Sequence, residues 1–261
     1  MPTGLHLRFG AVTIPVSFTC KTGASLAAIV VAHGAWSSAW AWQKMRPLLR
    51  EAGHELYTPS YTGLGERGHL ANPAIDLDTH IADVLGVLKF EDLNDAVLIG
   101  HSYGGMVATG VADRSEGRVA KLIYLDAFAP KDGQSLFDLV GPETELRMRQ
   151  GAKESGAGWK VPANPMPPDT PPDYVAWATP RRLPQPVKCF EQKLRLSSRA
   201  MPPRSYIYCK RIAPQDVFAQ FAARARAEGW GYAEMDASHN PHITAPLALR
   251  DVLQGFLAGK V

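Results

Sequence analysis

The chain has 261 residues, 46% of them hydrophobic, and a net charge of +3. That is core enough for one α/β domain, and the weak charge without a Lys/Arg stripe speaks against a nucleic-acid partner. Cys20, Cys189 and Cys209 have no metal-ligand spacing and read as reduced thiols; without a basic segment leading into an apolar core, or a run long enough for a membrane span, a soluble cytoplasmic protein is expected.

Residues 1–22 fit the later pattern poorly and are expected as a peripheral strand pair or an ordered arm. Residues 27–32 read as a buried strand, 38–52 as a helix that starts after Ser37 and stops at Gly53, and 54–59 as a second strand. Residues 77–90 form an amphipathic helix with Ile81, Val84, Leu85 and Leu88 on one face. The run Val97-Leu98-Ile99 is a strand leading into Ser102, followed by a helix over 103–114 and a strand over 119–125. Between Pro130 and Pro203 the rhythm breaks. Prolines at 162, 165, 167, 168, 171, 172, 180, 184 and 186 exclude a regular sheet, and a stretch this long without core periodicity reads as a functional lid. Strand and helix then alternate again over 205–209, 214–227, 231–235 and 246–257. This alternation marks a mostly parallel, doubly wound sheet with helices on both faces.

The segment Gly100-His101-Ser102-Tyr103-Gly104-Gly105 carries the chemistry. A Gly-x-Ser-x-Gly string between an apolar strand and a helix places the serine on a sharp turn with its hydroxyl exposed, beside helix N–H groups that favour developing negative charge. A tight structural turn is the bland alternative. A serine hydroxyl needs a base, expected on the loop after the last strand, here Asp236-Ala237-Ser238-His239-Asn240-Pro241-His242. His239 lies nearest the strand end and is the expected base, with His242 as a pocket or packing residue. The acid is less determined. The turn after residues 205–209 offers no carboxylate before Asp216, which equally suits the first turn of a helix. Asp126, at the C-terminal end of the strand 119–125, lies on the same rim as Ser102 and is the favoured acid; Asp216 is the alternative, with Asp236 or no acid remaining. Oxyanion donors are expected from the N–H groups of Tyr103 and of Ala35, where Gly34 lets the chain approach closely. His33 and His101 read as structural.

Together His33-Gly34-Ala35, Trp40-Ala41-Trp42, the Gly-His-Ser-Tyr-Gly-Gly string, Tyr124-Leu125-Asp126-Ala127-Phe128-Ala129-Pro130 and Ser-His-Asn-Pro resemble the α/β-hydrolase superfamily. The likeness is to the branch of plant methyl esterases, hydroxynitrile lyases and related bacterial carboxylesterases, and runs from about residue 27 to the end. The resemblance implies one α/β-hydrolase domain over 1–261, with a Pro-rich lid over 130–203 inserted after the superfamily's sixth strand. It also implies a Ser-His-acid mechanism without cofactor or metal, acting on a small, largely apolar acyl or aryl ester. Some superfamily members carry the acid after the sixth strand rather than the seventh, where Asp126 falls. Lyases of the branch carry a threonine and a lysine where Gly34 and Asn240 stand here, which favours ester hydrolysis over cyanohydrin cleavage. A non-catalytic ligand-binding protein is a third reading. Trp36, Phe128, Trp159, Trp177 and His242, with Gly34, are candidate pocket residues. A small-molecule ester is the expected partner, without nucleic acid or membrane, and a homodimer is left open.

Overall fold

The computed structural model of the protein describes residues 26–197, 199–211 and 216–259. Short, β-branched and apolar runs form six strands: β1 (Ala28–Ala32), β2 (Glu55–Tyr57), β3 (Ala96–His101), β4 (Val119–Leu125), β5 (Arg204–Cys209) and β6 (Gly231–Met235). They pair in the order β2-β1-β3-β4-β5-β6, every neighbour parallel. Parallel crossovers put helices on both faces, so successive strand residues alternate between two apolar layers. Ile29, Val31, Ile99 and Leu125 pack with α1 (Met45–Glu51) and α5 (Pro246–Leu257); Val30, Leu98, Leu122 and Tyr124 pack with α2 (Leu77–Phe90), α3 (Gly104–Arg114) and α4 (Ala219–Ala227). The expected doubly wound fold is therefore present, and all six strands are parallel.

Most boundaries follow the periodicity, and the exceptions have local causes. The helix expected over 38–52 is divided. Ala39–Trp42 form a tight 3-10 turn, and α1 begins only at Met45. Trp42 is fully buried and stacks on His242 at 4.6 Å, a tertiary contact that overrides the local helical pattern. The helix expected over 214–227 begins at Ala219, because the Asp216 carboxylate accepts from the Phe218 and Ala219 N–H groups and caps it there. Asp76 and Thr79 form a reciprocal capping box that starts α2 at Leu77.

The proline-rich stretch follows β4, the fourth described strand; residues 1–22, expected as a strand pair or an ordered arm, lie outside the described residues, as does Cys20. The stretch contains four helices, Leu136–Val140, Pro142–Ser155, Pro172–Ala178 and Lys188–Glu191, and one antiparallel pair of two-residue strands, Lys160–Val161 with Gln185–Pro186. Its longest helix precedes the first of the clustered prolines, so it forms without losing interior hydrogen bonds. Among the described residues no helix is long and apolar enough to cross a membrane.

Close approach at two glycines sets the position of α3. A Cβ on Gly104 would lie 2.0 Å from the Ala32 carbonyl oxygen, and one on Gly105 1.9 Å from that of Phe128. Only hydrogen at these positions lets the helix start against the ends of β1 and β4. Gly105→Ala is expected to cost about 3 kcal/mol or more in urea unfolding. Gly86→Ala, in α2 where a Cβ meets nothing within 4 Å, should be neutral or slightly stabilising.

Candidate active site

The sheet order reverses at β1, and the crevice beyond the C-terminal ends of β1 and β3 is where loops diverge and leave room for a ligand. Ser102 stands there, immediately after β3, with φ +55°. A non-glycine residue held in the left-handed region carries strain that surrounding packing must hold in place. Gly100 belongs to the same turn; a Cβ on it would meet Ala108 Cβ at 2.8 Å and the Gly104 oxygen at 2.9 Å. The Ser102 carbonyl accepts from Gly105 and Phe128 N–H groups at 3.0 and 3.2 Å, which fixes the turn from both sides.

Ser102 Oγ lies 2.9 Å from His239 Nε2, and His239 Nδ1 lies 2.7 Å from Asp126 Oδ2. The carboxylate accepts only, so Nδ1 carries the proton and Nε2 is left to accept from the serine hydroxyl. Asp126 follows β4 with φ +42° and is 4% exposed. Its other oxygen accepts from the Cys209 N–H at 3.2 Å, so both oxygens have a partner. The remaining acid candidates are elsewhere. Asp216 accepts from the Tyr208 hydroxyl at 2.5 Å besides capping α4, and Asp236 pairs with Arg211 at 3.0 Å. The His239 ring is stacked by Phe218 at 4.8 Å, and its backbone carbonyl accepts from His101 Nε2 at 2.8 Å.

The loop after β1 brings Gly34 and Ala35 to Ser102. A Cβ on Gly34 would sit 2.9 Å from His101 Nδ1 and 3.2 Å from Ser102 Cβ, so glycine is required for this approach. His33 orients the next peptide. Its Nε2 accepts from the Tyr61 N–H at 3.2 Å, so Nδ1 bears the proton and donates to the Gly34 carbonyl at 2.9 Å. In a trans peptide the N–H points opposite to the C=O, so holding the Gly34 oxygen aims the Ala35 N–H the other way. Tyr103, whose N–H follows the serine, is buried, and its hydroxyl bonds His80 Nδ1 at 2.9 Å.

These groups open onto a cavity of about 990 Å³. Gly34, Trp36, Phe128 and His242 line it as expected, together with Ala35 and Tyr103. Trp159 and Trp177 do not. Trp177 packs edge-on against Trp40, which itself lines the cavity, and Trp159 lies under the Lys160 ammonium. Aromatic content in the proline-rich stretch therefore marks its own packing rather than the cavity wall. Four other contributors carry no signal in the sequence, two that hold Trp36 and two arginines of the cavity wall. Gln185 is fully buried and accepts from the Trp36 N–H at 3.1 Å; the Val161 carbonyl accepts from the Trp36 indole at 2.9 Å. Arg147 and Arg182 also line the cavity. Among the described residues no cluster of metal-ligating side chains occurs, and Cys189 and Cys209 are free and buried.

Several histidines around the site are buried and neutral. Burial lowers His33, His80 and His242 to about 3, and burial with the neighbouring His242 and His239 holds His101 well below the usual imidazole range. An unfolded chain takes up protons at these positions near pH 6.5, whereas the folded one does not until far lower pH. Their contribution to stability is therefore complete above pH 6.5 and is lost as pH falls toward 3, with a slope of up to about 1.4 kcal/mol per pH unit for each group. Urea unfolding between about pH 7.5 and about pH 5 should show this decline. His242→Phe, which keeps an aromatic ring against Trp42, should make it shallower.

The alpha/beta hydrolase family model matches residues 29–252. A carbendazim hydrolyzing esterase from Nocardioides sp. is 36% identical over 241 residues, 87% of this chain and 98% of its own length. An alpha-hydroxynitrile lyase from Arabidopsis thaliana is 28% identical over 102 residues, 39% of this chain and 40% of its own. Among solved structures, an extracellular alpha/beta-hydrolase from a Paenibacillus species superimposes with a TM-score of 0.75 at 26% identity, covering 87% of this chain and 97% of that one. Six parallel strands, the strained serine turn between β3 and α3, and these likenesses agree: the chain belongs to the alpha/beta hydrolase family.

Proposed function

We propose that the protein hydrolyses a carboxylic ester through an acyl-enzyme on Ser102. The observation that carries this reading is the unbroken chain of hydrogen bonds from Ser102 through His239 to Asp126, opening onto the cavity. Ser102 Oγ attacks the ester carbonyl carbon while its proton passes to His239 Nε2, and Asp126 stabilises the imidazolium that forms. The carbonyl oxygen becomes an oxyanion held by the Ala35 and Tyr103 N–H groups. Collapse expels the alcohol, which takes the proton from His239. Water, deprotonated by the same histidine, then cleaves the acyl-serine and releases the acid. The step needs no cofactor. Similarity to a carbendazim hydrolyzing esterase over nearly its whole length supports hydrolysis.

Residues 130–203 are assigned as the lid of a single domain. Leu136, Met148 and Phe190 from this stretch line the cavity, and its two-residue strand pair holds Trp36 beside the Ala35 loop. Cyanohydrin cleavage is disfavoured. Asn240 lines the cavity where the lyases of the branch carry a lysine, and the contact of Gly34 with His101 and Ser102 leaves no space for a threonine.

Ser102→Ala should abolish both turnover of short aryl esters and labelling by a fluorophosphonate; full turnover by the variant overturns the proposal. Asp126→Asn should lower kcat by about three orders of magnitude or more, because the wrong histidine tautomer is then favoured. Asp216→Asn should stay within a few fold of wild type. His33→Phe removes the bond to the Gly34 carbonyl, loosening one oxyanion donor whose full loss is worth about 3 kcal/mol. It should therefore lower kcat by about tenfold or more with little change in KM.

A further inference from the structure

The cavity is lined by three arginines, Arg147, Arg182 and Arg211, and by three carboxylates, but the arginines are not equally paired. Its three carboxylates all have partners: Asp126 with His239, Asp169 with Arg211 at 3.8 Å, and Asp216 with the Tyr208 hydroxyl and two helix N–H groups. Arg211 is itself spoken for, since it also chelates Asp236 with two nitrogens at 3.0 and 3.2 Å. Arg147 and Arg182 differ. Among the described residues neither meets a carboxylate, although both line the same cavity as Ser102.

Arg182 is the more consequential of the two. It is half-buried, and among the described residues its one acceptor is the backbone carbonyl of Asn164. A guanidinium presents five N–H donors in a planar fork matched to a carboxylate, so a single carbonyl acceptor leaves most of its capacity unused. Burying such a cation without a counter-charge is unfavourable, and desolvation lowers its pKa accordingly. The rest of the cavity wall is largely apolar, from Trp36, Phe128, Leu136, Val140, Met148 and Phe190, and screens this charge poorly.

We propose that the substrate is an ester bearing a carboxylate remote from its scissile bond, and that Arg182, with Arg147 at the rim, receives that carboxylate while the ester lies at Ser102. Arg182 is then a specificity-determining residue. This inference rests on the ester-hydrolase reading and adds the charge of the substrate to it.

The test uses para-nitrophenyl half-esters of aliphatic dicarboxylic acids of increasing chain length, each compared with the same compound methylated at its free carboxylate. At the best chain length the wild-type protein should favour the charged member in kcat/KM by about tenfold, chiefly through KM, and added salt should reduce the advantage. Arg182→Gln should bring the ratio close to one, and Arg182→Lys should restore part of it. A wild-type preference for the methylated member at every length, or a ratio unchanged in Arg182→Gln, overturns the inference. Calorimetry on the Ser102→Ala protein with phenylbutyrate and phenylbutyramide asks the same question without turnover. Tighter carboxylate binding that vanishes when Arg182→Gln is added supports it; equal affinities overturn it and leave the hydrolase reading standing. Turnover retained by Ser102→Ala overturns the hydrolase reading instead, and the binding comparison still decides the role of Arg182.

Discussion

The site is organised around a carboxylate that has to be paired because it is buried. Asp126 sits at the end of a central strand, and a charge in that position is tolerated only when its lone pairs are satisfied. It meets that requirement with one oxygen on the backbone of β5 and the other on His239, while its own N–H donates to the Ile207 carbonyl at 2.8 Å. Two strands and the loop after β6 are thereby joined at one residue. His101 adds a second fastening through the His239 carbonyl, and Phe218 adds a third by stacking on the ring. The imidazole is held at Nδ1 and across one face, with Nε2 left facing Ser102.

The opposite wall has a comparable logic. His33, Tyr61 and His80 form a buried stack behind the loop after β1, with ring centroids 3.7 and 4.5 Å apart. Their bonds converge on the Gly34 carbonyl and the Tyr103 hydroxyl. The histidines remain neutral in that environment, so each has a defined donor and a defined acceptor nitrogen. Trp36, in the left-handed region at φ +57°, is held in turn by Gln185 and Val161. The proline-rich stretch therefore helps position the loop after β1. Three strained residues, Trp36, Ser102 and Asp126, lie at the ends of three adjacent strands, where packing on both faces of the sheet can hold them.

How far the sequence foretold this depends on the range of the interaction. Helices α2 and α5 and strands β4 and β6 are legible residue by residue, because amphipathic period, capping groups and flanking prolines are local. Ser102 is legible because strand, glycine turn and helix follow one another directly. His239 and Asp126 are legible because chain order in a parallel sheet dictates which loops share its C-terminal rim. The break at Ala39–Trp42 was not, since Trp42 stacks on His242, two hundred residues further along in the chain. Trp159 and Trp177 misled for the same reason: aromatic residues among prolines announce burial without saying against what.

The sequence by itself determined the alternation of elements and the sharp strand-to-helix turn at Ser102, because each of these is a property of contiguous chain. Only the tertiary structure shows which of Asp126, Asp216 and Asp236 stands beside His239, since all three are carboxylates near strand ends and, among them, Asp126 is the one within hydrogen-bond reach. It also decided which arginines of the cavity have a carboxylate beside them and which do not. Arg211 and Arg182 are alike as residues, yet one has two carboxylates within ion-pair distance and, among the described residues, the other has none. Pairing of charges depends on distance and exclusion of water, and neither is written in the order of residues.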